Sequence, residues 1–458
     1  MKKIETRLTA EKLLPQAQEV FELSAEKILR LEKRWKNNSG APVFTVKGKY
    51  TARGWTEWTQ GFQYGSAILQ FDATGDEKFL EIGRAATVQK MASHVSHIGV
   101  HDHGFNNIST YGNLLRLMRE DRIPSNVWEQ NFYELAVKLS GAIQASRWTQ
   151  LSPDRGYIYS FNGPHSLFSD TIRSLRALAV GHQLGHCLMG EKDSRIHLLA
   201  RLLQHVEATV EYNVYFGKGR DAYDVPGRVV HESIFNLNDG SYRCPSTQQG
   251  YSPFTTWTRG QAWILCGAAE QLEFLTELPA EEFPKSFPKA KVLKRLTQTA
   301  EAIAQFWVEQ TPADGIPYWD TGAPGLAKMG DYLNRVADPY NEHEPVDSSA
   351  AAIAAQGFLR LGNYFCAHGR GTEGEKMRGI ALTLAKNLFA EPYLSREANH
   401  EGLLLHTVYH RPNGWDYVPP GKKIPCGESA MWGDYHLREL ALMILREATE
   451  QPYYKFFL

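Results

Sequence analysis

The sequence predicts an all-α protein, a ring of six helical hairpins, and three observations predict it. Apolar residues recur at spacings of three and four over one stretch after another, strand signals are scarce and short, and tight connections alternate with long aromatic-rich ones. The first helix spans Ala10 to Trp35, with Leu13, Leu14, Ala17, Val20, Phe21, Ile28 and Leu29 on one face. The same period returns over Trp58 to Thr74, Asp76 to His94, Ser109 to Arg119, Val127 to Ala145, Ser169 to Leu188 and Asp193 to Tyr212. It continues over Thr258 to Thr276, Val292 to Gln310, Asp347 to Tyr364, Gly374 to Phe389 and Met431 to Ala448. Links such as Thr74-Gly75-Asp76 and Gly190-Glu191-Lys192-Asp193 supply glycine stops and aspartate caps, the chemistry of a helix hairpin. About twelve helices joined alternately by short and long links form such a ring, with one helix of each pair inside and the long loops on one face. A helical-repeat scaffold with an open concave face fits the same alternation. The proline-containing stretch Glu277 to Ala290 is short, so residues 1–458 read as a single domain.

Composition narrows the function classes. With 458 residues, 43% hydrophobic and 22% charged, the chain can bury a large core. A net charge of -1 argues against nucleic acid or an anionic membrane surface as partner, so an anionic ligand needs a local basic site. Five dispersed cysteines, Cys187, Cys244, Cys266, Cys366 and Cys426, include no CxxC pair, which points to a reducing compartment and no structural zinc. MKKIETRLTAEKLLPQAQEVF starts positive but lacks an apolar core segment, so a cytoplasmic location is expected. No stretch approaches the roughly 20 apolar residues of a membrane span. The expected assembly is a monomer or homodimer.

Candidate chemistry gathers in Thr247 to Trp263, TQQGYSPFTTWTRGQAW. Large flat rings beside a fixed cation and several amides suit a ligand with apolar faces and hydroxylated edges, as a sugar acid has. The alternative is a packed helix start in which Arg259 pairs with a buried carboxylate. WTRGQAW preceded by QGYS, VDSSAAAIAA at Val346 to Ala355 and WGDY at Trp432 to Tyr435 occur in the order found in the unsaturated glucuronyl hydrolases of glycoside hydrolase family 88, which the chain resembles from about Trp58 to Tyr435. The resemblance implies an (α/α)6 barrel, an active site at the loop end of the inner helices, and no cofactor or metal.

It also implies site residues. Asp102, in VHDHGF, matches an essential aspartate of an HDxGF-like segment, and Asp170, in SLFSDTIRSLRAL, matches a second one ahead of an inner helix. Read without the resemblance, each is a helix N-cap. Trp58 in WTQGF, His231 in VVHESIF, Gln249, Arg259 and Trp263 match residues near the sugar, and Thr247, Gln248 and Trp257 join them as substrate-binding candidates. Gln248 departs from the family, which often has histidine there. His410, Arg411, Lys422 and Lys423 are candidates for the substrate carboxylate on charge alone. His94, His97, His101 and His103, and the pair His182 and His186, lack the pattern of a metal site. The implied substrates are unsaturated uronic-acid di- or oligosaccharides left by polysaccharide lyases, and the implied reaction is vinyl-ether hydration. In that reaction Asp170 is expected to be protonated and Asp102 ionised. Unsaturated rhamnogalacturonyl hydrolase of family 105 and a sugar epimerase or isomerase on the same barrel are the alternatives.

Overall fold

The computed structural model describes residues 1–36, 40–53 and 57–458. Its twelve principal helices, in chain order, begin with α1 (Ala10–Trp35), α2 (Gln60–Thr74) and α3 (Glu77–Lys90). Next, α4 is a single run of three segments (His103–Asn107, Ile108–Gly112 and Asn113–Arg119), followed by α5 (Val127–Ser146) and by α6, two segments (Thr171–Ser174 and Arg176–Gln183). Then come α7 (Leu198–Tyr212), α8 (Thr258–Glu277), α9 (Lys289–Gln310), α10 (Ser348–Ala367), α11 (Gly371–Leu388) and α12 (Met431–Ala448). Odd-numbered helices bury one face, while even-numbered helices are buried almost all round over the turns nearest the loops, as inner and outer layers require. The inner helices pack in the cyclic order α2, α4, α6, α8, α10, α12 and back to α2, which closes an (α/α)6 barrel.

Each short link joins the C-terminus of an inner helix to the N-terminus of the next outer one, so every inner helix starts at the long-loop end. Small residues let the inner helices approach closely. A Cβ on Gly104 of VHDHGF would lie 2.1 Å from the Ser174 carbonyl oxygen, and one on Gly61 of WTQGF would lie 2.4 Å from Asn106 Cα. These contacts draw α2, α4 and α6 together beneath Trp58, Asp102 and Asp170. Ala350 to Ala355 of α10 are fully buried, and Asp347 caps that helix, as the small-residue run predicts.

Among the described residues, strands appear only in the connections. β1 (Pro42–Val46) pairs with β2 (Lys49–Ala52) and β3 (Trp148–Ser152) with β4 (Arg155–Ile158), both antiparallel. β5 (Ser166–Phe168) begins a three-stranded sheet that is completed farther along the chain, and β6 (Cys187–Met189) pairs with β7 (Arg195–His197). This last hairpin corrects the helical reading on either side of Gly190 to Asp193: α6 stops at Gln183, α7 starts at Leu198, and the tight link is the turn of a β-hairpin. Three-residue strands are too short for an alternating pattern to reveal them. β8 (Glu232–Phe235) and β9 (Tyr242–Ser246) complete the sheet in the order β5-β8-β9. β5 pairs Phe168 with Glu232, and Ser169 N–H donates to His231 O at 2.9 Å, so Asp170 and His231 arrive side by side. Among the described residues no helix is long and apolar enough to cross a membrane.

Candidate active site

A cavity of about 380 Å³ opens at the long-loop end, in the size range of small-ligand sites. Trp58, Asp102, Asp170, Gln248, Gln249, Trp257, Arg259 and Trp263 all line it. Thr247 does not: its Oγ1 accepts from Gly250 N–H at 2.9 Å and holds the turn that carries the two glutamines. His231 stands one layer behind the wall. Of the four basic candidates only His410 reaches the cavity; exposed Lys423 pairs with Glu342 at 2.6 Å and Lys422 sits 5.4 Å over the Tyr340 ring.

Asp102 and Asp170 occupy the N-cap positions of α4 and α6, yet neither side chain makes a capping bond. Both carboxyls are turned instead toward His101. Its Nε2 lies 3.2 Å from Asp170 Oδ1 and 3.7 Å from Asp102 Oδ1, while its buried Nδ1 finds no partner among the described residues. The two carboxyls shift in the opposite order to the one expected. Burial pushes the Asp170 carboxyl up, but the hydrogen bond from His101 and the charge of His101, with His231 close by, outweigh it and hold Asp170 below the usual range. Burial also pushes Asp102 up, and with the nearby Asp170 charge it prevails over the opposing pull of His101, so Asp102 stays above the usual range. For His101, burial favours the neutral ring, but the Asp102 charge and the Asp170 hydrogen bond override it and raise its pKa. Sequence reasoning counted His101 only as one of four neighbouring histidines. Its position next to Asp102 in VHDHGF was a signal that could have found it.

The other histidines of that group are used separately. His94 Nε2 meets Gln60 Oε1 at 2.7 Å, His103 Nδ1 meets Ser140 Oγ at 3.0 Å, and His103 Nε2 meets the His97 carbonyl oxygen at 2.9 Å.

His231 Nδ1 accepts from the backbone N–H groups of Gln248 at 3.0 Å and Gln249 at 3.2 Å. Both bonds come from backbone amides, so replacing histidine by Gln248 leaves this link intact. With Nδ1 accepting, the proton sits on Nε2, which is buried and unpartnered among the described residues. His410 repeats the arrangement: Nδ1 accepts from Asn413 N–H at 3.3 Å and the buried Nε2 has no partner among the described residues. Burial lowers both pKa values to about 4, so both rings are neutral donors at physiological pH.

Arg259 bears out the alternative reading of its segment and still walls the cavity. Its guanidinium pairs with Asp347 and donates to Val408 O at 2.6 Å, Tyr409 O at 2.7 Å and Gln249 Oε1 at 3.1 Å. It also lies 4.6 Å over the Trp257 ring. Fixed in this way, it locks the loop that carries Tyr409 and His410 to the starts of α8 and α10. Trp58 stacks on Trp432 of the WGDY segment at 5.1 Å and 24°, and its Nε1 donates to Tyr409 Oη at 3.3 Å. Asp434 of the same segment accepts from Leu403 and Leu404 N–H and from Tyr50 Oη. Phe105, Phe161 and Phe168 complete an aromatic wall that the sequence reading left out.

No family model matches the chain. It is 24% identical over 385 residues, 84% of this chain and 78% of the relative, to the unsaturated glucuronyl hydrolase of Formosa agariphila. To that of Bacillus sp. (strain GL1) it is 24% identical over 415 residues, 88% of this chain and 89% of the relative. A crystal structure of an unsaturated glucuronyl hydrolase specific for heparin superposes with a TM-score of 0.71 at 19% identity, covering 95% of this chain and 98% of the other.

Proposed function

We propose that this chain, a glycoside hydrolase related to the unsaturated glucuronyl hydrolases, removes the 4,5-unsaturated uronic acid from the non-reducing end of lyase-generated oligosaccharides by hydrating its vinyl ether. The observation that carries this reading is the pair of uncapped aspartates sharing one histidine inside an aromatic-walled cavity. Ordinary glycoside hydrolysis needs one carboxyl to protonate the leaving oxygen and another to attack or activate water at the anomeric carbon. In vinyl-ether hydration a single carboxyl delivers a proton to C4 and then takes one from water, so the second is free for other work.

Asp170 is assigned the proton transfers. His101, whose pKa its two aspartates raise and whose Nε2 is 3.2 Å from Asp170, is assigned as the store of the proton before substrate binds. A bound uronate carboxylate and the loss of water both raise the pKa of Asp170, and the proton passes from His101 Nε2 to Asp170 Oδ1. Asp170 gives it to C4, and positive charge develops over C5 and the ring oxygen. Water adds to C5 and surrenders a proton to Asp170, the resulting hemiketal opens, and the glycosidic bond breaks. Asp102 holds the sugar hydroxyls. His231 Nε2–H orients the water oxygen as a donor and cannot serve as its base. His410 Nε2–H is the donor assigned to the uronate carboxylate, in the positive field of inner-helix N-termini that begin around the cavity. An epimerase would exchange protons through paired histidines, whereas His231 and His410 each have Nδ1 occupied by a backbone amide.

The test is loss of the near-ultraviolet absorbance of the conjugated double bond, using unsaturated disaccharides from glycosaminoglycan, pectin-type and other lyases. Loss with wild type but not Asp170→Asn is expected, and the preferred disaccharide names the substrate class. Folded wild-type protein that bleaches none of them overturns the assignment.

A further inference from the structure

Helix α5 departs from the pattern of the outer layer. Its inner face is apolar as expected, with Tyr133, Ala136 and Val137 buried. Its outer face is apolar as well. Trp128 is 84% exposed, Val127 72%, Leu135 53%, Leu139 43% and Phe132 42%. On the other outer helices Val88 is the sole exposed large apolar side chain among the described residues. Their solvent faces carry residues such as Glu22 and Glu26 on α1, Lys294 and Gln298 on α9, and Glu375 and Lys376 on α11. A helix apolar on both faces is a helix that is covered on both faces.

We propose that a second copy of this chain covers it, in a two-fold homodimer with α5 packed antiparallel on α5. Trp128, Phe132, Leu135 and Leu139 follow spacings of four, three and four, the seam of a packed helix pair. Antiparallel pairing about a point between Tyr133 and Glu134 sets Trp128 against Leu139 of the other copy and Phe132 against Leu135. The stripe is therefore its own complement, which an isologous contact requires. The flanking positions then set Lys138 against Asn131 and Glu129 against Ala136, so no like charges meet. The two rings alone leave on the order of 300 Å² in water. With the three aliphatic side chains and the polar flanks, the face reaches the scale of the ~800 Å² that each partner gives to a stable interface. Trp128 stands at the short-link end of the barrel, so both cavities stay open in the dimer.

The experiment is sedimentation velocity on the full chain over the micromolar range, beside Leu135→Glu and Trp128→Ser. Wild type should sediment at twice the 51.8 kDa chain mass, and each variant should shift to the monomer with unchanged melting temperature and unchanged turnover per chain. A mixture of Phe132→Cys and Leu135→Cys chains should cross-link under mild oxidation more than either alone. Wild type monomeric throughout, or a dimer that persists in Leu135→Glu, overturns the proposal. Neither readout depends on which sugar the cavity takes.

Discussion

Two buried polar clusters lie on either side of Trp263 in this barrel, built from overlapping helices, and they differ in what answers their groups: carboxylates meet guanidinium groups in one, and histidine nitrogens stay open in the other. In the lower one Arg173 of α6 bonds Glu270 of α8 at 3.1 Å and Glu439 of α12 at 2.9 Å, while Arg360 of α10 bonds Glu273 at 2.7 Å. Tyr454 Oη adds a bond to Glu439 at 2.9 Å. Four of the six inner helices are tied by these buried pairs, although Arg360 Nε and Nη2 find no hydrogen-bond partner among the described residues. In the upper cluster His101, His231 and His410 each keep one ring nitrogen without a partner among the described residues. Trp263 separates the two, with the Arg173 guanidinium 5.8 Å from its ring and the cavity on its other side. An open ring nitrogen beside a cavity can take a ligand, whereas a carboxylate and a guanidinium that answer each other serve the scaffold. The difference separates the chemistry from the framework more sharply than residue type does, since both clusters contain carboxylates and cations.

Breaking each cluster should therefore fail in a different observable. The largest effect is on rate: Asp170→Asn should lower kcat/KM by about 10³–10⁴, with a denaturation midpoint close to wild type. Next is Arg173→Met, which leaves Glu270 and Glu439 charged and short of partners. It should destabilise the fold by about 3–5 kcal/mol in urea titrations while folded molecules turn over within a few-fold of wild type. An Arg173→Met protein as stable as wild type would erase the distinction. A smaller change comes from His410→Phe, which removes one donor to an anionic group. An increase in KM of roughly 10-fold to 100-fold is expected, with kcat nearly unchanged, measured on the disaccharide that wild type prefers.

Acid should also tell the clusters apart. Burial holds His94, His103, His231 and His410 at about 4 in the folded chain. The unfolded chain takes up those protons near pH ~6.5, so stability should fall as pH drops from about 6.5 toward 4. Glu439 behaves oppositely. Burial raises its pKa, but Arg173, Arg176 and other cations override this and hold it well below the usual range. Its contribution is complete above the ordinary glutamate range and is lost only as pH falls through that depressed value. Calorimetry between pH 7 and pH 4 should find a positive slope of stability with pH that His231→Asn and His410→Phe each reduce. The smallest effect belongs to Lys423→Ser: its pair with Glu342 is exposed and screened by water, so KM should stay within about two-fold of wild type, and a larger change would return that lysine to the site.

Much of this was readable in the chain. Helical periodicity found α1 to its ends, the alternation of links was that of a ring or of an open helical repeat, and the crowd of tryptophans, amides and Arg259 marked one wall of the cavity. Aspartates preceding α4 and α6 were visible too, although as caps they would have been ordinary; that neither side chain caps its helix is a fact of orientation. Thr247 lay in the right segment and turned out to brace it. His101 was counted with its neighbouring histidines despite its place beside Asp102; that its ring also meets Asp170 is a fact of the tertiary structure.

By itself the sequence determined what is local: which stretches form helices, which faces are apolar, and hence paired helices with their long loops on one side, a pattern that a closed ring and an open helical repeat share until α12 packs on α2. Those properties follow from the covalent neighbours of each residue. The tertiary structure alone decided which charges are paired and which ring nitrogens stay open. Arg259 is fixed by a carboxylate 88 residues away, and the proton of the site is set by His101 and an aspartate 69 residues away. Charge in a buried site follows distance and desolvation, and neither exists until the chain has closed on itself.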